Sequence, residues 1–216
     1  MTTEHQLQKR LTRTWAQDGV QVDGRLHFLV AWEVMDDYRI NSAQLGFGRP
    51  AIDFLLLDDQ GSLAAVELKM SVRTRRDSWA ALCQVTRRSA LLARTFTRSL
   101  LAGAHQDCYS GRHGRLEPQS HADNLSLAHA RFFGREPIES IAGLPVRRVV
   151  AAPEFGKPWE GVRELFASGQ RELIDKEISA FSQKGWPGTE FKQYLDLPTP
   201  PAGHLASGIS KLVIAD

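Results

Sequence analysis

Cysteine is scarce in this chain: Cys83 and Cys108 are the two thiols in 216 residues. That excludes a disulfide framework and fits a reducing compartment such as the cytosol. No apolar run approaches the roughly 20 residues that a membrane-crossing helix needs. The opening segment, Met1 to Arg10, is polar and unlike a secretory leader. The expectation is a soluble, cytoplasmic protein with no membrane partner. The net charge of +2 is too small to announce a polyanionic ligand, so only its distribution is informative. Motifs of several enzyme classes are missing as well. There is no Gly-x-Ser-x-Gly nucleophile elbow, and Gly46-Phe-Gly48 is followed by neither Lys-Ser/Thr nor a helix, so it is no phosphate loop. His105, Cys108, His113 and His121 match no zinc spacing and read as loop residues. Without an internal repeat or a clear linker, the chain reads as one domain over 1–216.

What is present is enough apolar residue, 42%, to build a core. Residues 3–17 predict an amphipathic helix, with Leu7, Leu11 and Trp15 four apart. Residues 25–38 are ambiguous. Leu26, Phe28, Val30 and Trp32 alternate as in a strand, whereas Leu26, Leu29, Val30, Glu33 and Val34 share a helical stripe, and a helix is the expectation. Strands are predicted over 51–57 and 62–70, joined by a turn at Asp58-Asp-Gln-Gly61. A long helix over 78–102 follows, with Asp77 or Ser78 as its cap. Residues 103–143 read as an irregular insertion, 144–152 as a strand, 159–182 as mainly helical, and Lys211–Ala215 as an edge strand.

The hairpin contains three charges among apolar neighbours. Glu67 and Lys69, two apart on a strand, share a face, and a tight hairpin brings Asp53 alongside them. Lone buried charges cost several kcal/mol, so such a cluster persists when it is paired or holds a metal. Two carboxylates and the Leu68 backbone carbonyl form the hard oxygen set preferred by Mg²⁺ or Mn²⁺. A metal there would lower the pKa of a bound water and stabilise charge on a phosphate, with Lys69 adding a second cation. The competing reading is a structural salt bridge between Lys69 and Glu67 or Asp53 in an ordinary hairpin.

Pro50-x-x-Asp53, thirteen intervening residues, and Glu67-Leu-Lys69, on two apolar strands followed by a long helix, resemble the PD-(D/E)xK nuclease superfamily. The resemblance covers about 25–152 and leaves 153–216 as a C-terminal helical elaboration. It implies an α/β fold: a restriction-endonuclease-like α-β-β-β-α-β core with a mixed central sheet and extra C-terminal helices. It also implies that Asp53 and Glu67 ligate Mg²⁺ or Mn²⁺ and that Lys69 assists catalysis. A further acid in the first helix is matched by Glu33, with Asp36 and Asp37 as alternatives. One branch carries a Gln and, four residues later, a Tyr on the helix after Glu-x-Lys. Here Gln84 fits, but Arg88 stands in the Tyr position.

Between Arg73 and Arg98 there are seven arginines (73, 75, 76, 87, 88, 94 and 98) and a single acid, Asp77. Such a stretch suits a phosphate backbone, and Arg73, Arg75, Arg76, Arg87 and Arg88 are the nucleic-acid-binding candidates. A solvated helix face is the alternative. The expected activity is metal-dependent hydrolysis of phosphodiester bonds, in DNA first and RNA second, by a metal-activated water. The alternative is a nuclease-like fold without catalysis that binds nucleic acid or a protein, the latter through its C-terminal third. A homodimer is left open, as is the pathway among restriction, repair, recombination and antiphage defence.

Overall fold

The computed structural model of the chain describes residues 3–35, 51–58, 62–95, 146–182 and 208–215. Helix α1 (Glu4–Gln17) begins with a capping box: the Thr3 hydroxyl accepts from the Gln6 N–H, and the Gln6 side chain accepts from the Thr3 N–H. Its apolar stripe, Leu7, Leu11 and Trp15, is buried as the four-residue spacing predicts. Strands β1 (Val20–Val22) and β2 (Arg25–Met35) form a tight hairpin, with Asp23 and Gly24 both at positive φ. Two successive left-handed residues match the right-handed twist of the flanking strands.

The assignment of a helix to 25–38 is corrected here, because residues 25–35 form β2. The register against β3 (Ala51–Asp58) explains the mixed pattern. Leu29 pairs with Leu56, yet Ala31 pairs with Leu55, so β2 carries one extra residue at Val30. A bulge of this kind interrupts the two-residue period. His27 and Leu29 are buried before it, and Val30 and Trp32 at and after it, which mimics a helical stripe.

Strand β4 (Leu63–Leu68) completes an antiparallel meander with β3, and all six of its residues are buried. Asp58 closes the turn, since its carboxylate accepts from the Ser62 N–H at 2.7 Å. Helix α2 (Arg75–Thr95) starts earlier than expected. The Thr74 hydroxyl accepts from the Asp77 N–H, and the Asp77 carboxylate accepts from the Thr74 N–H. The cap is therefore Thr74, with Asp77 three residues on in the reciprocal role. Strand β5 (Arg147–Ala152) lies parallel to β4, and β6 (Ser210–Val213) lies parallel to β5 at the sheet edge. Between them, the predicted helical stretch is split by Gly169, at φ +67°, into α3 (Pro158–Ala167) and α4 (Arg171–Ser182). The insertion at 103–143 and the Pro-rich segment at 198–201 lie outside the described residues.

The architecture is α/β, with a mixed six-stranded sheet in the order β1-β2-β3-β4-β5-β6. Two cores cover its faces. On one, Trp15 of α1 meets Phe54 edge-on at 4.8 Å, over Leu29, Leu56, Val66 and Val149. On the other, Trp79 and Leu82 of α2 and Trp159 and Val162 of α3 pack with Val150 and Ala152. The sheet curls enough to bring its edges together. Asp23 accepts from the Ser210 hydroxyl and pairs with Arg147 at 3.4 Å, and Arg10 donates to the Ala215 carbonyl at 3.0 Å. No described helix is long and apolar enough to cross a membrane.

His27 is fully buried beside Asp58, and its Nδ1 donates to the Arg25 carbonyl at 3.0 Å. Burial, set against that bond and the nearby Asp58 charge, lowers its pKa below the ordinary 6.5. The unfolded chain then takes up a proton that the folded chain refuses. Stability from this site is present above pH 6.5 and is lost as pH falls through it. An imidazole NMR titration should therefore place His27 below 6.5. A measured value above it would remove this source of acid sensitivity.

Candidate active site

Alternation along β3 and β4 decides which side chains meet. Phe54 faces α1, so its neighbour Asp53 faces α2. Glu67 lies beside Val150, which packs under α2, so Glu67 takes that face as well. The β3–β4 ladder runs to the Phe54–Val66 pair. Beyond it the Leu68 N–H donates to the Asp53 carboxylate at 2.7 Å. A side chain here replaces a strand carbonyl, and the two strands are held by it where the ladder ends. An extended residue directs its N–H and C=O toward the same neighbouring strand, so the Leu68 carbonyl opens on the Asp53 side. On the other side of β4 the Lys69 N–H donates to the Ala151 carbonyl at 2.8 Å, which ties the next residue to β5.

Lys69 and Glu67 are joined directly, with Nζ donating to Oε1 at 2.8 Å. Arg88, from the middle of α2, reaches into the same space. Its Nη1 donates to Glu67 Oε2 and lies 3.9 Å from Asp53 Oδ1. One guanidinium nitrogen thus contacts both carboxylates. The Glu67 side chain is 1% exposed, while Asp53, Lys69 and Arg88 are between 21% and 25% exposed. The acid is at the bottom of the cluster and the other three groups reach solvent.

The electrostatics follow from this crowding. Burial, and then the neighbouring Glu67 charge, push the Asp53 pKa to about 7, against the opposite pull of Arg88, the Leu68 N–H and Lys69. Burial acts against the Lys69 ammonium too, but the Glu67 carboxylate bonded to it, with Asp53 behind, outweighs that cost and raises the Lys69 pKa. The cluster keeps a firmly protonated lysine next to a carboxyl that is reluctant to ionise.

Glu33 is on strand β2 and not on a helix, which corrects that part of the expectation. Its backbone falls between the Trp32–Phe54 and Val34–Ile52 pairs, opposite Asp53. Asp36, Asp37 and Arg98 lie outside the described residues. Gln84 is half-buried on α2, one turn before Arg88, and Arg76 and Arg87 are half-buried on the same helix. Arg73 pairs with Glu154, its Nε donating at 2.7 Å. Arg75 forms a two-point pair with Glu177, which also accepts from the Trp79 indole N–H. The basic run therefore divides. Arg88 turns inward to the acids, while Arg73 and Arg75 clasp carboxylates in the loop after β5 and on α4.

Among the described residues no group of three or more His, Cys, Asp or Glu side chains gathers as a metal cluster. The hairpin brings two carboxylates, Asp53 and Glu67, onto one guanidinium, and carboxylate oxygens are of the type that hard divalent cations take. Comparisons of the chain with protein-family models, with curated proteins and with solved structures each return no match.

Proposed function

We propose that the protein is a divalent-metal-dependent nuclease that hydrolyses phosphodiester bonds, in DNA by preference, at Asp53, Glu67 and Lys69. The observation that carries this reading is the convergence of both carboxylates on one cation, with Lys69 bonded to the deeper of them. The cluster sets two acids against two bases, Lys69 and Arg88. A second carboxylate held against the first costs stability, as the raised Asp53 pKa indicates, and that cost is understandable where a more highly charged cation is to be bound. The order β2-β3-β4-α2-β5 is compatible with a restriction-endonuclease-like core, whose opening helix would then be α1, outside the 25–152 over which the resemblance extends.

In this reading Asp53, Glu67 and the Leu68 carbonyl would hold Mg²⁺ or Mn²⁺, with Glu33, whose backbone lies across from Asp53, as a candidate fourth donor. The ion, when bound, supplies a water of lowered pKa and offsets phosphate charge. Asp53 does two jobs: one oxygen anchors to the Leu68 N–H, which leaves the other directed at the cation site. Lys69 is held protonated by Glu67 and presents a cation to the phosphate oxygens as negative charge grows on them. The attacking water would release a proton to solvent as its oxygen bonds to phosphorus, and the leaving sugar oxygen, as its bond to phosphorus breaks, would take one up from solvent. Arg73 and Arg75 are exposed, and exposed ion pairs are worth only about 0–1 kcal/mol, so exchanging their carboxylates for backbone phosphates costs little.

The test is cleavage of circular, linear, single-stranded and branched DNA, and of RNA, with Mg²⁺ or Mn²⁺. Lys69→Ala and Glu67→Gln are expected to lower the rate at least about a hundredfold, the usual scale for losing one charge-stabilising group. Near-wild-type rates in both variants, with folding intact, would sink the proposal. DNA affinity without any metal binding would favour the non-catalytic, nucleic-acid-binding alternative.

A further inference from the structure

Arg88 sits where the proposed metal has to go. Its Nη1 is bonded to Glu67 Oε2 and within ion-pair distance of Asp53 Oδ1, so a cation already spans the two carboxylates. Lys69 holds the remaining Glu67 oxygen, and the Leu68 N–H holds the remaining Asp53 oxygen. Every oxygen of both side chains is thereby engaged. The two oxygens that face Arg88, Glu67 Oε2 and Asp53 Oδ1, are those that a divalent ion shared by both carboxylates would need. A guanidinium and a divalent ion so placed would also stand at repulsive distance from each other.

Arg88 is positioned to leave. It is carried on α2 by a long side chain that is 21% exposed, so its head group can swing outward without unfolding the helix. Glu67, by contrast, is buried within β4 and cannot follow it. We infer that Arg88 is a resident counter-ion of the carboxylate pair, exchanged for the divalent ion when the site loads. The inference rests on the nuclease reading and deepens it. The guanidinium keeps the metal-free site neutral enough to fold. Once displaced, it is a cation at the mouth of the site, available to a substrate phosphate through a bidentate contact. Metal loading and substrate binding would then be coupled through this one side chain.

The experiment is Mn²⁺ binding to the full chain by titration calorimetry, comparing wild type with Arg88→Gln and Arg88→Ala. Removing a competing charge-assisted bond should tighten Mn²⁺ binding roughly ten- to a hundredfold, although a cationic residue near the phosphate site has been lost. In Arg88→Ala, added millimolar guanidinium should weaken Mn²⁺ binding back toward the wild-type value, and should have little effect on wild type. Should Arg88→Gln prove poorly folded, the guanidinium competition in Arg88→Ala still decides, and Arg88→Lys, which keeps the charge on a shorter side chain, should fall between. Mn²⁺ binding that is unchanged or weaker in these variants, while wild type binds, would overturn the exchange and leave the nuclease reading standing. No Mn²⁺ binding by wild type or by any variant would overturn both.

Discussion

Asp53→Asn is expected to make the metal-free protein more stable at neutral pH while abolishing metal-dependent cleavage. The Asn amide oxygen can still accept from the Leu68 N–H, so the strand junction survives. What disappears is a charge that burial and Glu67 both oppose. The sign follows from proton counting. With a folded-state pKa of about 7 against an ordinary 3.8, the unfolded chain releases its proton first as pH rises. Wild-type stability therefore falls between those two values and is level above the higher one. Asn does not titrate, so its advantage should grow from about pH 4 to about pH 7 and then hold. Converting the shift suggests roughly 2–4 kcal/mol at the plateau, the lower figure allowing for partial solvent access. Melting curves across pH, with a chelator present, measure it. Adding Mg²⁺ or Mn²⁺ should shrink the gap, because only the wild type gains stability from binding the ion. A variant less stable than wild type at neutral pH, or a gain indifferent to pH, would show that Asp53 is not held there at a cost.

Gly156→Ala is the second large effect, and it concerns the frame around the site. The loops after β4 and after β5 lie against each other. Val72 N–H donates to the Glu154 carbonyl at 2.9 Å, Gly156 N–H donates to the Val72 carbonyl at 2.8 Å, and Val72 bridges to Phe155. A Cβ on residue 156 would collide with the Arg73 carbonyl oxygen and stand 2.9 Å from Arg73 Cα. Those are backbone atoms, so no rotamer change relieves the clash and the loops must separate. Overpacking at about 1–3 kcal/mol plus one or two weakened hydrogen bonds suggests a loss of roughly 3 kcal/mol. For a chain of this length that is a fall of roughly 6–12 °C in Tm. The loop involved leads from Lys69 to Thr74, the cap of α2, so misplacement of Arg88 should accompany it. Gly161→Ala is the control. It lies inside α3 with nothing within 4 Å of the added Cβ, and should stabilise by roughly 0.5–1 kcal/mol. Opposite signs for these two glycines is the outcome to look for; equal effects would mean that the loop contact is slack.

Particular residues show where sequence reading works on this chain. Strands β3 and β4 are legible because a strand covered on both faces is a nearly unbroken apolar run, and the residues from Phe54 to Leu57 and from Leu63 to Val66 are all buried. The shared face of Glu67 and Lys69 is legible from the two-residue period alone, and their 2.8 Å bond bears it out. The β1–β2 hairpin is not among the sequence expectations, although Asp23-Gly24 between short apolar runs is of the kind that marks a two-residue turn. Residues 25–35 read as a helix because the Val30 bulge adds a residue, and no local rule announces a bulge. Thr74 does not stand out as a cap because Asp77 and Ser78 are equally good cap residues, and only the reciprocal bonds decide among them.

By itself the sequence determined the hairpin, its three charges and the face that two of them share, since these depend on neighbours a few residues apart and on a fixed backbone period. Only the tertiary structure decided what the charges meet. Arg88 is 21 residues from Glu67 in the chain, and Arg75 is 102 from Glu177. Which arginine turns inward to the acids and which clasps a distant glutamate depends on how α2 lies across β4 and β5. That is set by the packing of Trp79, Leu82, Trp159 and Val150 rather than by anything in the basic stretch itself. Charge along a chain is a list of ion-pair candidates; burial and helix placement choose among them.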